Sequence, residues 1–258
     1  EKLGLAYLTA NGLMLGTAKH DTQALYNEIE SIGARLGFSS GTLSTSFSAH
    51  CLSEDLDLIL GLVAESLQSP TFPEKECRRQ KNQLLTALAI RAQDTSSMAA
   101  LAFDQIIFKD HPYQYAEEGY PETVAAISRE DLVQFYNSTY GPLGMVVVLV
   151  GAVEPDRAIL AVEQALGDWN NPHQAALPEI PPVKPPLDQE KKRVIIAGKS
   201  QADIVMGCLA PSRLSPDFHA LRLGNNILGE FGMMGRVGQS VREDSGLAYY
   251  AYSSLNLG

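Results

Sequence analysis

Five prolines fall within residues 173–190 and interrupt an otherwise regular succession of helix and strand patterns: Pro178, Pro181, Pro182, Pro185 and Pro186. Because proline fixes φ and has no amide hydrogen, such a run favours a stiff, extended connector. The order strand, helix, strand recurs on both sides of it. We therefore predict a first domain over 1–172, whose N-terminal strands are expected to be missing, a linker over 173–190, and the start of a second domain over 191–258.

Apolar spacing predicts the elements before the linker. Spacings of three and four residues indicate helices over 22–36, from Ser53 to Leu67 and from Pro73 to Ile90. Near alternation over 38–51 predicts a half-buried strand, and the valine-rich run 145–151 predicts a buried one.

The pattern continues after the linker. Strands are predicted near 193–197 and 204–209, followed by a helix over 215–228 and a strand over 247–254. The expected fold class is α+β, with two related domains in which an antiparallel or mixed sheet is flanked by helices. The second domain is expected to be truncated after Gly258.

Composition excludes several kinds of partner. The formal net charge of -10 over 258 residues opposes binding to nucleic acid, whose affinity depends largely on Lys and Arg. No apolar run reaches the length of a membrane span, since the best, Met145–Val150, is only as long as a strand. We expect a protein of the bacterial cytoplasm or periplasm.

Metal and thiol chemistry have little support in the residue spacing. The three cysteines, Cys51, Cys77 and Cys208, lie far apart and are predicted to be buried thiols. The histidines form no i, i+4 pair and have no evident carboxylate partner, so they are predicted to be structural or surface residues: His20, His50, His111, His173 and His219.

Four short sequence motifs follow one another along the chain, after an apolar opening segment over Gly4–Thr17. They are Leu52–Leu56, Pro70–Pro73, Asp110–Tyr113 and Gly246–Tyr249. Together with the opening they resemble the insulinase and pitrilysin-like metallopeptidases over nearly the whole chain. The resemblance implies the fold of that family.

The zinc motif of the family, H-x-x-E-H, is absent from the matching positions. Tyr7 stands at the first histidine, Ala10 at the catalytic glutamate and Asn11 at the second histidine. The third ligand, a glutamate on the long helix, falls near Thr86–Leu88, where Ala87 is the closest match. The resemblance therefore implies a metal-less member that holds no cofactor, with zinc expected only in a partner.

A second family feature is retained. Members place an arginine and a tyrosine seven positions apart in the half of the chamber opposite the zinc, and Arg242 and Tyr249 keep this spacing. A guanidinium and a phenol can stabilise the oxyanion that forms when a peptide carbonyl is attacked. Without the resemblance, Arg242 is ordinary for a helix end and Tyr249 for an aromatic strand.

The resemblance implies a non-catalytic subunit, or half, of a zinc-dependent insulinase-type peptidase. It would supply Arg242, Tyr249 and a chamber wall to a homologous zinc-bearing partner that cleaves peptides, and would not be active alone. One alternative is a structural protein resembling the core proteins of respiratory cytochrome complexes. Another is an enzyme with a different site, but no Ser-His-Asp set, activated cysteine or carboxylate pair supports it.

The glycines 229, 232, 235 and 238 fit no phosphate loop and are interpreted as a mobile loop at the substrate entrance.

Overall fold

The computed structural model describes residues 2–256, which divide into two compact units at the bond between Val205 and Met206. The proline-rich segment 173–190 lies within the first unit and contains neither helix nor strand. The domain limits at residues 172 and 191 remain a prediction. Among residues 2–256, no helix is both long and apolar enough to cross a bilayer.

Helices dominate the first unit. They are α1 (Leu5–Gly12), α2 (Thr22–Ser31), α3 (Leu56–Gln68), α4 (Glu74–Arg91), α5 (Thr95–Ile107), α6 (Pro121–Ala125), α7 (Arg129–Thr139) and α8 (Pro155–Leu166). Side chains cap several of them, because the first amide groups of a helix have no partner within it. Asp21 accepts from the Ala24 amide at 2.8 Å, Asp94 accepts from the Ser97 amide at 2.7 Å, and Ser128 forms a capping box with Asp131.

The segment predicted as one strand over 38–51 forms a hairpin instead. Strand β1 (Arg35–Ser40) pairs antiparallel with β2 (Thr45–His50), with Phe38 opposite Phe47. The turn closes where the Gly41 amide donates to the Ser44 carbonyl at 2.8 Å. The α+β class is confirmed, although the sheet of the described residues has only these two strands.

The prediction of a buried strand over 145–151 is wrong in part. Met145 and Val147 pack against the core, as a strand's inward face would. Val146, Val148 and Val150, however, are 80%, 79% and 91% exposed. The segment forms no β-ladder with any described residue. It is therefore not a strand of a sheet among these residues, since a strand needs a neighbouring strand to satisfy its backbone groups. The segments predicted as strands after the linker are likewise not paired in the described part of the chain.

The core of the first unit lies between α1, α3, α4 and α7. Leu8, Leu13, Ile59 and Val63 are almost fully buried there, and so is Phe72. Burying each of these side chains contributes about 1.5–3 kcal/mol relative to leaving it in water.

In the described part of the second unit, α9 (Phe218–Asn225) is shorter than the predicted 215–228, and α10 (Arg236–Gly238) is a single turn. The chain continues as a π-helical turn over Asn226–Glu230, and a second π-helical turn spans Gln239–Asp244. The Ser253 amide donates to the Gly229 carbonyl at 3.1 Å.

Candidate functional site

The structure brings Arg242 and Tyr249 together in the second unit. The Arg242 guanidinium carbon lies 5.1 Å from the centroid of the Tyr249 ring, within the range of a cation–π contact. The backbone explains how the two meet. The Leu247 amide donates to the Val241 carbonyl at 3.0 Å, and Gly246 adopts φ +62°, so the chain reverses directly after the π-helical turn.

Both side chains are accessible. Tyr249 is 84% exposed, and no hydrogen bond holds its hydroxyl among the described residues. The Arg242 side chain touches the Met233 sulfur, and its Nε lies 3.5 Å from the Glu243 carboxylate. The pair therefore presents a phenol donor beside a positive charge at the surface of its unit.

The glycines beside this pair are packed closely. A Cβ added at Gly235 or Gly238 would collide with the backbone of Gly229 or Gly232. Gly232 also adopts φ +58°. This packing holds the turn that carries Met233, and so the sulfur that Arg242 contacts. Whether the segment moves at a substrate entrance remains a prediction.

Helix α1 carries the positions matched to the lost zinc motif. Ala10 is fully buried, whereas Tyr7 and Asn11 are half-buried. The Asn11 amide donates to the Tyr7 carbonyl at 2.9 Å, so it is used within the helix. Ala87 is exposed on α4. Within residues 2–256 there is no group of three or more His, Cys, Asp or Glu that could hold a metal ion.

Sequence reasoning missed one charged cluster. The prediction that no histidine has a carboxylate partner is wrong, because His20 Nδ1 lies 2.9 Å from the Glu65 carboxylate. Thr17 also donates to Glu65. Burial alone would raise the pKa of Glu65, but the hydrogen bonds from Thr17 and His20 and the charges of His20 and Lys19 hold it below its usual value. Hydrophobic periodicity in the sequence relates residues only a few positions apart, so it gives no indication that residues 20 and 65 are neighbours.

The thiols also differ from expectation. Cys77 is buried and Cys51 is half-buried, but Cys208 is exposed. Burial raises the pKa of Cys77 to about 11, which keeps that thiol protonated.

Comparison with known proteins identifies the family. The profile of the Peptidase M16 inactive domain matches residues 126–258, and that of Insulinase (Peptidase family M16) matches residues 1–116. The chain belongs to the insulinase family, peptidase family M16. The predicted family and its fold are thereby confirmed.

Three of the relatives carry different kinds of name. An uncharacterized zinc protease of Mycobacterium leprae is 27% identical over 258 residues, covering 98% of this chain and 57% of its own length. Subunit 1 of the mitochondrial cytochrome b-c1 complex of Mus musculus is 25% identical, covering 88% and 47%. A non-peptidase homolog of Helicobacter pylori is 27% identical, covering 99% and 58%. The chain thus spans about half the length of these curated relatives.

Solved structures agree on the fold. A peptidase M16 inactive domain from Pseudomonas fluorescens has a TM-score of 0.81 and 26% identity, covering all of this chain and 62% of its own. A protease from Helicobacter pylori also has a TM-score of 0.81, at 19% identity, covering 99% and 62%.

Proposed function

We propose that this chain is a non-catalytic half of a zinc-dependent peptidase, which supplies Arg242 and Tyr249 to a homologous zinc-bearing partner. The observation that carries the proposal is the contact between the two side chains, 5.1 Å from guanidinium carbon to ring centroid, with the tyrosine open to solvent. The match of residues 126–258 to the inactive domain supports it.

The chemistry suits peptide hydrolysis. When water attacks a peptide carbonyl, negative charge develops on the oxygen, and preorganised donors that face this charge lower the barrier. Tyr249 offers a hydroxyl and Arg242 offers a guanidinium whose direction is restrained by Met233 and Glu243. The ring also orients the guanidinium, because the cation favours the face of the aromatic system.

The residues matched to the zinc site do not fit the metal. Zinc in proteins takes Cys, His, Asp or Glu ligands, and Tyr7, Ala10, Asn11 and Ala87 provide none of these. The Asn11 amide is hydrogen-bonded to the Tyr7 carbonyl. We therefore derive no step of hydrolysis through a metal on this chain.

The test is a reconstitution with a family member that carries the intact zinc motif. The full chain alone should cleave no peptide, and adding it should raise chelator-sensitive cleavage by the partner. Arg242→Ala and Tyr249→Phe should each lower kcat/KM by about tenfold to a hundredfold, as expected for losing one oxyanion donor or its charge. Arg213→Ala removes a charge from an exposed arginine of the same unit and should leave cleavage unchanged.

Two results would overturn the proposal. Cleavage by the chain alone, retained in both variants, would show an unrelated active site. Full stimulation of the partner by the Arg242→Ala, Tyr249→Phe double variant would show that the pair takes no part.

A second candidate is a structural role in a larger assembly. The similarity to subunit 1 of the mouse mitochondrial cytochrome b-c1 complex supports it, since that protein is named as a subunit of a complex. Affinity purification of the tagged full-length protein distinguishes the two. Recovery of respiratory membrane subunits, without a protein carrying H-x-x-E-H, would favour the structural role.

A further inference from the structure

A groove of about 920 Å³ lies in the first unit, beside α7 and the loop 168–173. It belongs to a different compact unit from Arg242 and Tyr249. Its volume is within the range of sites that bind small ligands or short peptide segments. An inference from the groove is therefore independent of the proposed function.

The floor of the groove is aromatic and held in place. The Tyr136 hydroxyl donates to the Leu67 carbonyl at 2.6 Å, and its ring lies 5.4 Å from that of Tyr140. Trp169, the single tryptophan of the chain, is half-buried in the lining. Its own amide donates to the Leu166 carbonyl at 3.0 Å.

The loop that carries Trp169 is tied to the end of α7. The Asn171 side-chain amide donates to the carbonyls of Asn137 and Tyr140, at 2.8 and 2.6 Å. Because both walls are fixed by hydrogen bonds, the groove exists before any ligand binds, and less ordering entropy is lost on binding.

Carboxylates outnumber guanidinium groups in the lining of the groove. Arg129 keeps its positive charge, but its guanidinium is held by the carbonyls of Phe72 and Thr71, to which it donates at 2.6 and 3.0 Å. The carboxylates of Glu130 and Asp168 also line the groove, and neither forms a hydrogen bond or an ion pair within residues 2–256. A cation that entered would meet two unpaired carboxylates and aromatic faces.

We propose that this groove binds a basic peptide segment, with an arginine or lysine side chain against Trp169 and between Glu130 and Asp168. Aromatic faces attract guanidinium and ammonium groups, and carboxylates pair with them. Exposed amide side chains on the same wall, Gln134 and Asn137, suit the backbone of an extended peptide.

The single tryptophan makes the test direct. The full chain is titrated with N-acetylated, amidated tri-arginine while Trp169 fluorescence is followed, and tri-citrulline serves as an uncharged probe of the same shape. A saturable change is expected with tri-arginine, and binding of tri-citrulline should be at least about tenfold weaker. Equal binding of the two probes, or no saturable change, would overturn the proposal.

Matched variants separate the groove from the overall negative charge. Glu130→Gln with Asp168→Asn should weaken tri-arginine binding by about tenfold. Asp188→Asn with Glu190→Gln removes the same charge from exposed residues of the proline-rich segment and should leave affinity unchanged. An equal loss in both double variants would show only general attraction to an acidic protein, and would contradict a specific site.

A third variant covers the case in which the carboxylate variant does not fold. Trp169→Leu removes the aromatic face and keeps both charges, and binding is then followed by calorimetry. Tri-arginine affinity should fall by about fivefold. Unchanged affinity in a folded Trp169→Leu protein would overturn the placement of the cation on this ring.

Discussion

His20 Nδ1 lies 2.9 Å from the carboxylate of Glu65, a residue 9% exposed. Thr17 donates to the same carboxylate, and the hydroxyl of Thr17 accepts from the His20 amide at 2.9 Å. The three side chains fix the turn between α1 and α2 onto α3.

This cluster makes stability depend on pH in the acid range. The pKa of Glu65 is lower in the folded protein than its ordinary value of 4.5, so the folded state binds the proton less readily than the unfolded chain. Its contribution should be fully present above that value and lost as pH falls through the folded pKa. Glu65→Gln should cost about 1–3 kcal/mol at pH 7, and less at pH 3, in urea unfolding. Glu28→Gln on α2 is the exposed control, and an equal cost at both pH values would contradict the role of the charge.

Arg129 supports an unusual backbone. Phe72 adopts φ +45°, which is uncommon for a residue other than glycine, and Arg129 donates to its carbonyl and to that of Thr71. Arg129→Met should lower the free energy of unfolding by about 1–3 kcal/mol, because both carbonyls lose a charged donor. Arg222→Met, on the exposed face of α9, should cost less than about 0.5 kcal/mol in the same urea titration. Equal costs would show that the contact contributes no stability.

The exposed valines of 145–150 should make this chain associate. Val146, Val148 and Val150 form an apolar row on an extended segment that pairs with no strand among residues 2–256, and such a segment is a template for pairing with another strand. Sedimentation velocity should show concentration-dependent association. Val148→Lys should suppress it, and Ile159→Lys, at an exposed site on α8, should not. Association that survives Val148→Lys would place the contact elsewhere.

His111 anchors the proline-rich segment. Its Nδ1 accepts from the Tyr113 amide at 3.2 Å, so Nε2 carries the hydrogen and donates to the Pro181 carbonyl at 2.9 Å. His111→Ala should release this segment and increase cleavage after Glu179 by a glutamyl endopeptidase, followed by mass spectrometry. His50→Ala, at an exposed ring on β2, is the control. An unchanged cleavage rate in His111→Ala would show that other contacts hold the segment.

The thiols should react in a defined order. Cys208 is exposed, whereas Cys77 is buried with its pKa raised to about 11. Thiolate is the reactive species, so an aromatic disulfide reagent at pH 8 should modify Cys208 first and reach Cys77 only on unfolding. Cys208→Ser should remove the fast phase, and Cys77→Ser should leave it intact. A fast phase that persists in Cys208→Ser would show that another thiol reacts first and would contradict the predicted order.

Local patterns determined much of the first unit. The helices from Ser53 and Pro73 were predictable because apolar spacing and start signals act within a few residues. The segment 38–51 was predicted only as a strand, since alternation alone does not show where a chain reverses, although Gly41 marks the turn. The helix predicted over 22–36 ends at Ser31, and Arg35 already belongs to β1. The family and its fold were recognisable from the order of short sequence motifs along the chain, and the comparisons confirmed both.

Only the tertiary structure decided which distant residues meet. The sequence placed Arg242 and Tyr249 seven positions apart, but their stacking depends on the reversal at Gly246. The His20–Glu65 pair joins residues 45 positions apart, and no local rule connects them. The valine-rich run 145–151 has the composition of a buried strand, yet burial of its second face requires a neighbouring strand that the described residues do not supply. Sequence thus fixes what each segment favours, whereas pairing and burial depend on what lies beside it in space.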